Sequence, residues 1–251
     1  MSSFEDYFSK HASEYARSRS HKNGEDLKSM VTLLNPSGSW RVLDMATGTG
    51  FTAMALAPFV SEVTGLDATE EMLSNAVALA EKSGIRNVKF VRGKVEQSGQ
   101  DSESFDLVTC RRAAHHFPDK EAFVREAKRV LKKNGLFALI DMVRPESDLD
   151  DVRNRMEILR DSSHIDAPTV EFWKQLLSEN GFSEVNIYST KERIAFPDFL
   201  SPVRLDSEEG KSCLEYLESL PRKALENADI DPEDYSIVKE RVIFIYRKRG
   251  E

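Results

Sequence analysis

Val42-Leu43-Asp44-Met45-Ala46-Thr47-Gly48-Thr49-Gly50-Phe51-Thr52-Ala53 constrains this chain more than any other stretch. A short apolar run ends in an acid, a turn of small residues follows, and the pattern continues as the helix-like Phe51-Thr52-Ala53-Met54-Ala55-Leu56-Ala57. A strand, a glycine turn and a helix in that order set backbone N–H groups and a helix start over the end of a sheet strand. Open α/β sheets bind their ligands there. Gly48 and Gly50 carry no Cβ, so the main chain can pass close to a ligand.

The rest of the chain repeats the alternation. Strand patterns fall at 40–45, 62–66, 87–92, 105–110 and 136–142, with helical periodicity at 3–17, 24–34, 50–58, 70–82 and 120–132. Gly84 and Gly135 stand where helix C-terminal glycines belong. Strands alternating with helices predict an α/β fold with a doubly wound parallel sheet. After Pro145 helices are expected at 147–161 and 169–179, then strands at 185–188 and 242–246. The long stretch between those two strands argues against a simple hairpin. It reads as an insertion over 190–240, helical at 208–219 and 232–240 and broken by Pro197, Pro202, Pro221 and Pro232. Such insertions beside a ligand-binding edge act as lids. The expected organisation is a single domain over 1–251: a helical cap (1–34), a ligand-binding core (35–145) and the lid insertion.

Composition narrows the partners. A formal net charge of -8 repels a polyanion on average, which disfavours nucleic acid. No apolar run approaches the ~20 residues of a membrane span. Two cysteines, Cys110 and Cys213, are too few for a disulfide framework and fit a reducing cytoplasm. No Cys/His spacing suits a metal. A homodimer is compatible with the composition, which does not specify it.

Glycine spacing alone also satisfies the dinucleotide fingerprint of dehydrogenases. Three features separate the readings. Asp44 lies just before the turn, where a carboxylate does not favour a pyrophosphate but can hold the turn or attract an ammonium. Val63-Thr64-Gly65-Leu66-Asp67 is a second strand ending in an acid, placed to accept from both hydroxyls of a ribose. Phe105-Asp106-Leu107-Val108-Thr109-Cys110-Arg111 is a strand whose end faces the same crevice.

Together with Gly65-Leu66-Asp67-Ala68-Thr69-Glu70-Glu71-Met72-Leu73 and Ala114-His115-His116-Phe117, these blocks resemble class I S-adenosylmethionine-dependent methyltransferases of the type-11 group, which includes the C-methyltransferases of ubiquinone and menaquinone biosynthesis. The resemblance implies a seven-stranded, mostly parallel sheet with its last strand antiparallel and helical lid elements. It implies S-adenosylmethionine as cofactor, S-adenosylhomocysteine as product and a small-molecule acceptor. By the same resemblance Asp44 and the turn Ala46, Thr47, Gly48 and Gly50 hold the methionine moiety, and Asp67 the ribose. Ala68 and Met72 line the adenine pocket, and Tyr15 of the entry helix closes over the cofactor, with His21 nearby.

Lys94 stands where many members carry an aspartate that accepts from the adenine amino group, a role an ammonium cannot take. Its methylenes can lie beside the base with the charge in water, while the Val95 N–H serves the ring. The strand exit Cys110-Arg111 should lie next to the sulfonium. Arg111 can bond carbonyls around the methionine end or hold an anionic substrate, and Cys110 reads as a small buried residue. If the acceptor must lose a proton, His115 or His116 is the candidate base. Phe172, Trp173, Phe196 and Phe199 can shape an apolar acceptor pocket or fill the lid's own core. An NAD(P)-dependent oxidoreductase and a noncatalytic cofactor-binding member are the alternatives; the first lacks a Tyr-x-x-x-Lys pair.

Overall fold

The computed structural model describes residues 3–17, 22 and 24–250, without the side chains of 3–6, 14, 15 and 17. The Tyr15 side chain and His21 therefore lie outside the described residues. The helices α1 (Ser3–Arg17) and α2 (Glu25–Leu34) lie before the alternating region. That region runs β1 (Arg41–Met45), α3 (Phe51–Leu56), β2 (Glu62–Asp67), α4 (Glu70–Lys82), β3 (Val88–Arg92), β4 (Phe105–Arg111), α5 (Lys120–Val130) and β5 (Leu131–Val143). After it come α6 (Val152–Arg160), α7 (Val170–Glu179), β6 (Phe182–Ile194), α8 (Phe196–Leu200), α9 (Glu208–Glu218), α10 (Arg222–Asn227) and β7 (Ile237–Lys248).

The seven strands form one sheet in the order β3-β2-β1-β4-β5-β7-β6. Strands β1 to β5 pair in parallel, and β7 runs antiparallel to both β5 and β6. Alternation along the strands feeds two cores. Leu43, Val108 and Phe137 pack with Phe123 of α5 and Trp173 of α7 on one face, while Val42, Leu107 and Ala138 pack with Met30 of α2 and Leu56 of α3 on the other. A sheet covered on both faces needs apolar residues at successive positions, which is why β1 is buried from Val42 to Met45.

Three expectations need correction. Residues 185–188 and 242–246 belong to much longer strands, paired from Phe182↔Lys248 to Ile194↔Ile237 across the whole insertion. They behave as an antiparallel ribbon despite the separation, because the insertion carries its own apolar core and brings the ends together. Residues 232–240 are not helical: turns lead into β7, which pairs with β5 up to Val143↔Glu240. Gly135 does not end a helix; α5 stops at Val130 and Gly135 lies within β5, against the Asp106 carbonyl. Gly84 does follow α4, in the left-handed region at φ +68°.

The insertion's core joins Val152 and Met156 of α6 to Phe196 and Phe199 of α8 and Leu217 of α9. Phe196 and Phe199 thus fill that core, Trp173 fills the main one, and Phe172 is exposed on α7. None of the four lines the crevice described next. Among the described residues no helix is long and apolar enough to cross a membrane.

Candidate active site

Parallel pairing brings the ends of β1, β2 and β4 side by side. Asp44 is opposite Thr109 in the β1–β4 register, and the Thr109 hydroxyl donates to its Oδ1 at 2.6 Å. The Thr47 hydroxyl donates to Oδ2 at 2.6 Å, so a buried carboxylate ties the turn to the sheet. Burial raises Asp44 to about 6, only partly offset by the hydroxyls of Thr109 and Thr47. Since 6 exceeds the unfolded value of 3.8, the stability Asp44 contributes is present below the unfolded value and is lost as pH rises through about 6. Its charge follows the opposite course and is complete only above that pH. S-Adenosylhomocysteine affinity is therefore expected to weaken from about pH 7 to about pH 5, with a flatter profile in Asp44→Asn. Calorimetric titrations across that range measure both; coincident profiles would remove Asp44 from cofactor electrostatics.

Asp67 ends β2. Its Oδ2 accepts from the Gly48 N–H at 2.8 Å and its Oδ1 from the Thr69 N–H at 3.0 Å. Burial raises its carboxyl despite the Thr69 and Gly48 N–H groups. Two positions of the turn demand attention for their backbone. Gly50 has φ +80°, and a Cβ there would meet the Phe90 ring at 2.8 Å, so its bareness serves a packed ring and not a ligand. Gly48, at φ +53°, has nothing within 4 Å of a notional Cβ and borders open space.

That space is a crevice of about 630 Å³ including its mouth. Ala46, Thr47, Gly48, Asp67, Met72 and Arg111 line it, as do Phe8, Arg112 and His116. Asp44 lies beneath the turn. Gly50, Ala68, Lys94, Val95, Cys110 and His115 do not line it. Lys94 is exposed, and Val95 joins the main core. Cys110 is wholly buried; burial and the nearby charges of Asp141, Asp44 and Asp67 push its thiol well up, which makes it a poor nucleophile.

The histidines are held differently. His115 Nδ1 donates to Asp141 Oδ1 at 2.6 Å, and its backbone N–H donates to Oδ2 at 3.0 Å. Burial opposes ionisation of Asp141, but the His115 charge and hydrogen bonds outweigh it and the carboxyl is lowered. His116 Nδ1 donates to the Ser163 carbonyl at 2.9 Å, which leaves the lone pair of the neutral ring on Nε2. Burial, reinforced by His115, drives His116 well below the usual histidine range. The Phe8 ring meets it edge-on at 5.1 Å. His164 stacks on His115 with centroids 5.5 Å apart.

At the β4 exit, Arg111 donates to Asp26 of α2 through Nε and Nη2, both at 2.9 Å. Arg112 grips the same carboxylate at 2.9 and 2.8 Å from a left-handed backbone, φ +56°. Burial alone would raise Asp26; the two guanidiniums hold it well below the usual carboxylate range.

Sequence reasoning missed Asp26, Asp141 and His164. Asp141 ends the apolar run Phe137-Ala138-Leu139-Ile140, the same pattern that singled out Asp44 and Asp67. Asp26 resembles an ordinary acid in a first helical turn, and His164 is a lone loop histidine; neither carries a local signal.

A seven-stranded sheet with an antiparallel β7, a buried acid at the β1 exit and a second acid beside the glycine turn is the class I methyltransferase arrangement. The family model described as "Methyltransferase domain" matches residues 36–189, and the chain belongs to this family of S-adenosylmethionine-dependent methyltransferases. It is 36% identical over 211 residues to YcgJ of Bacillus subtilis (strain 168), described as an uncharacterized methyltransferase, covering 84% of this chain and 83% of the relative. It is 33% identical to the demethylmenaquinone methyltransferase of Thermotoga maritima, over 48% of this chain and 51% of that protein. The crystal structure of BH2331 from Bacillus halodurans C-125 superposes with a TM-score of 0.83 at 36% identity, covering 90% of this chain and all of that one. The oxidoreductase alternative is thereby set aside. The crevice fits the cofactor: it offers a buried acid, Asp67, beside a glycine turn that borders open space.

Proposed function

We propose that this enzyme methylates a small-molecule acceptor held beside the cofactor crevice. S-Adenosylmethionine supplies an activated methyl group on a sulfonium, so the protein's task is chiefly alignment, worth roughly 7–11 kcal/mol in favourable cases. Asp67 accepts from the ribose hydroxyls. The Ala46–Gly50 turn, braced by Asp44, receives the methionine half, and Met72 packs against the base. Arg111, held on Asp26 through Nε and Nη2, fixes the crevice wall. His116 is the stronger candidate for accepting a proton, since it borders the crevice and carries its lone pair on Nε2. His115, locked on Asp141, positions that segment. The insertion between β6 and β7 closes the acceptor side as a lid.

The observation that carries this reading is a second cavity, about 1600 Å³ with its mouth, which shares Arg112 with the crevice. A recess of that kind, walled by several elements and open at its mouth, suits a small ligand. The test is methyl transfer from labelled S-adenosylmethionine into an ultrafiltered small-molecule extract, compared with the retained macromolecular fraction. Label in the small-molecule fraction supports the proposal, and label confined to protein or nucleic acid overturns it.

A further inference from the structure

The second cavity is walled by α2, the end of β5, α6 and the β6–β7 ribbon, with Arg112 at its border with the crevice. Its charges do not balance locally. Asp26 is shared by two guanidiniums, Arg111 and Arg112. Arg241 of β7 adds a third: Arg112 is lowered to about 10 by burial, then by the like charges of Arg241 and Arg111. The Arg241 side chain makes no hydrogen bond and no ion pair among the described residues, and its Nε is shut off from solvent without a partner.

Lys239 follows on the same face of β7. Its ammonium sits 5.5 Å from the centre of the Phe199 ring, with no ion pair among the described residues, and burial lowers it to about 8. Arg153 of α6 also has an orphaned Nε, although its Nη1 donates to the Val238 carbonyl at 2.9 Å.

The carboxylates around this cavity are committed elsewhere or hydrated. Glu157 is held by Arg160 at 2.5 Å and Glu240 by Lys191 at 3.0 Å. Glu25 faces Lys28, while Glu192 and Asp198 are exposed. Arg241 is half-buried and feels the charges of Asp26, Asp141 and Glu192 without bonding any of them, so a ligand that supplies a directly bonded counter-charge is favoured. Guanidinium forks match the paired oxygens of carboxylates and phosphates.

We infer that the methyl acceptor carries a carboxylate or phosphate group, and that Arg241, flanked by Arg112 and Lys239, receives it. The inference rests on the methyltransferase reading above and specifies its substrate class. Arg112 belongs to both cavities, so an acceptor anchored on Arg241 reaches past it toward the crevice.

Thermal unfolding of the full chain saturated with S-adenosylhomocysteine tests this, with inorganic phosphate or acetate added against chloride at equal ionic strength and pH. At about tenfold over its Kd, a bound anion should raise Tm by about 3 °C. A rise with phosphate alone assigns a phosphate-bearing acceptor, and a rise with acetate alone a carboxylate. Arg241→Met should abolish the rise while its Tm without anion equals or exceeds that of the wild type, as expected when a half-buried cation with no directly bonded partner is removed. S-Adenosylhomocysteine titration of the variant checks that the cofactor site stays assembled. No rise with either anion in the wild type, or an equal rise in Arg241→Met, overturns the inference. Failure of the wild type to bind S-adenosylhomocysteine would instead sink the methyltransferase reading, whatever the anions do.

Discussion

Asp26→Ala is expected to lower stability by about 3–5 kcal/mol, because it leaves two guanidiniums without their shared carboxylate in a desolvated site. The side chains of Asp26, Arg111 and Arg112 are only 3%, 4% and 11% exposed, so solvent does not screen the loss as it does at a surface pair. For a chain of this size that corresponds to a Tm drop of about 6–20 °C. Because the folded carboxyl titrates below its unfolded value, its contribution is fully present above the unfolded value and lost as pH falls through the folded one. The gap between wild type and variant should therefore narrow below about pH 4. Thermal denaturation at neutral and acidic pH measures both effects. A loss below about 1 kcal/mol would place the cluster with ordinary surface ion pairs and refute its role as the clamp between α2 and the β4 exit.

Asp67→Ala should weaken S-adenosylhomocysteine binding by about 100-fold, equivalent to ~2.7 kcal/mol, through loss of charge-assisted hydrogen bonds to the ribose. The carboxylate also holds the Gly48 and Thr69 N–H groups, so the variant loses both a ligand contact and the shape of the turn. Asp67→Asn retains the size and one acceptor oxygen, and is expected to fall between wild type and alanine. Calorimetric titration gives the affinities, and thermal denaturation separates them from any loss of fold. An alanine variant within about threefold of the wild-type Kd would take the ribose role away from Asp67.

These expectations arise from features of unequal visibility. Asp44 and Asp67 stood out because an acid ending an apolar strand is conspicuous, and the parallel fold carries such strand ends to one edge. His115 and His116 were visible as a pair but indistinguishable. Their opposite orientations depend on Asp141 of β5 and on the Ser163 carbonyl, neither adjacent in sequence. Asp26 escaped notice because its partners lie 85 and 86 residues away. The Gly50 case differs again: spacing suggested a ligand, whereas the structure puts the Phe90 ring against it.

The ribbon of β6 and β7 shows the same division. Short apolar runs marked their centres, but their full lengths rest on pairing across an insertion with a core of its own. Polar residues such as Lys239 and Arg241 adopt strand geometry there because ladder partners supply backbone hydrogen bonds, whatever the local hydrophobicity.

The amino-acid order alone thus determined the alternating α/β plan, the glycine turn and the two strand-end acids, since these depend on short-range periodicity and backbone sterics. Tertiary structure decided which histidine meets the crevice, that two arginines grip one carboxylate while a third stands near without bonding it, and that a second chamber opens beside them. Charge and burial act through space, so groups remote along the chain acquire their chemistry only when folding brings them together and removes the water between them.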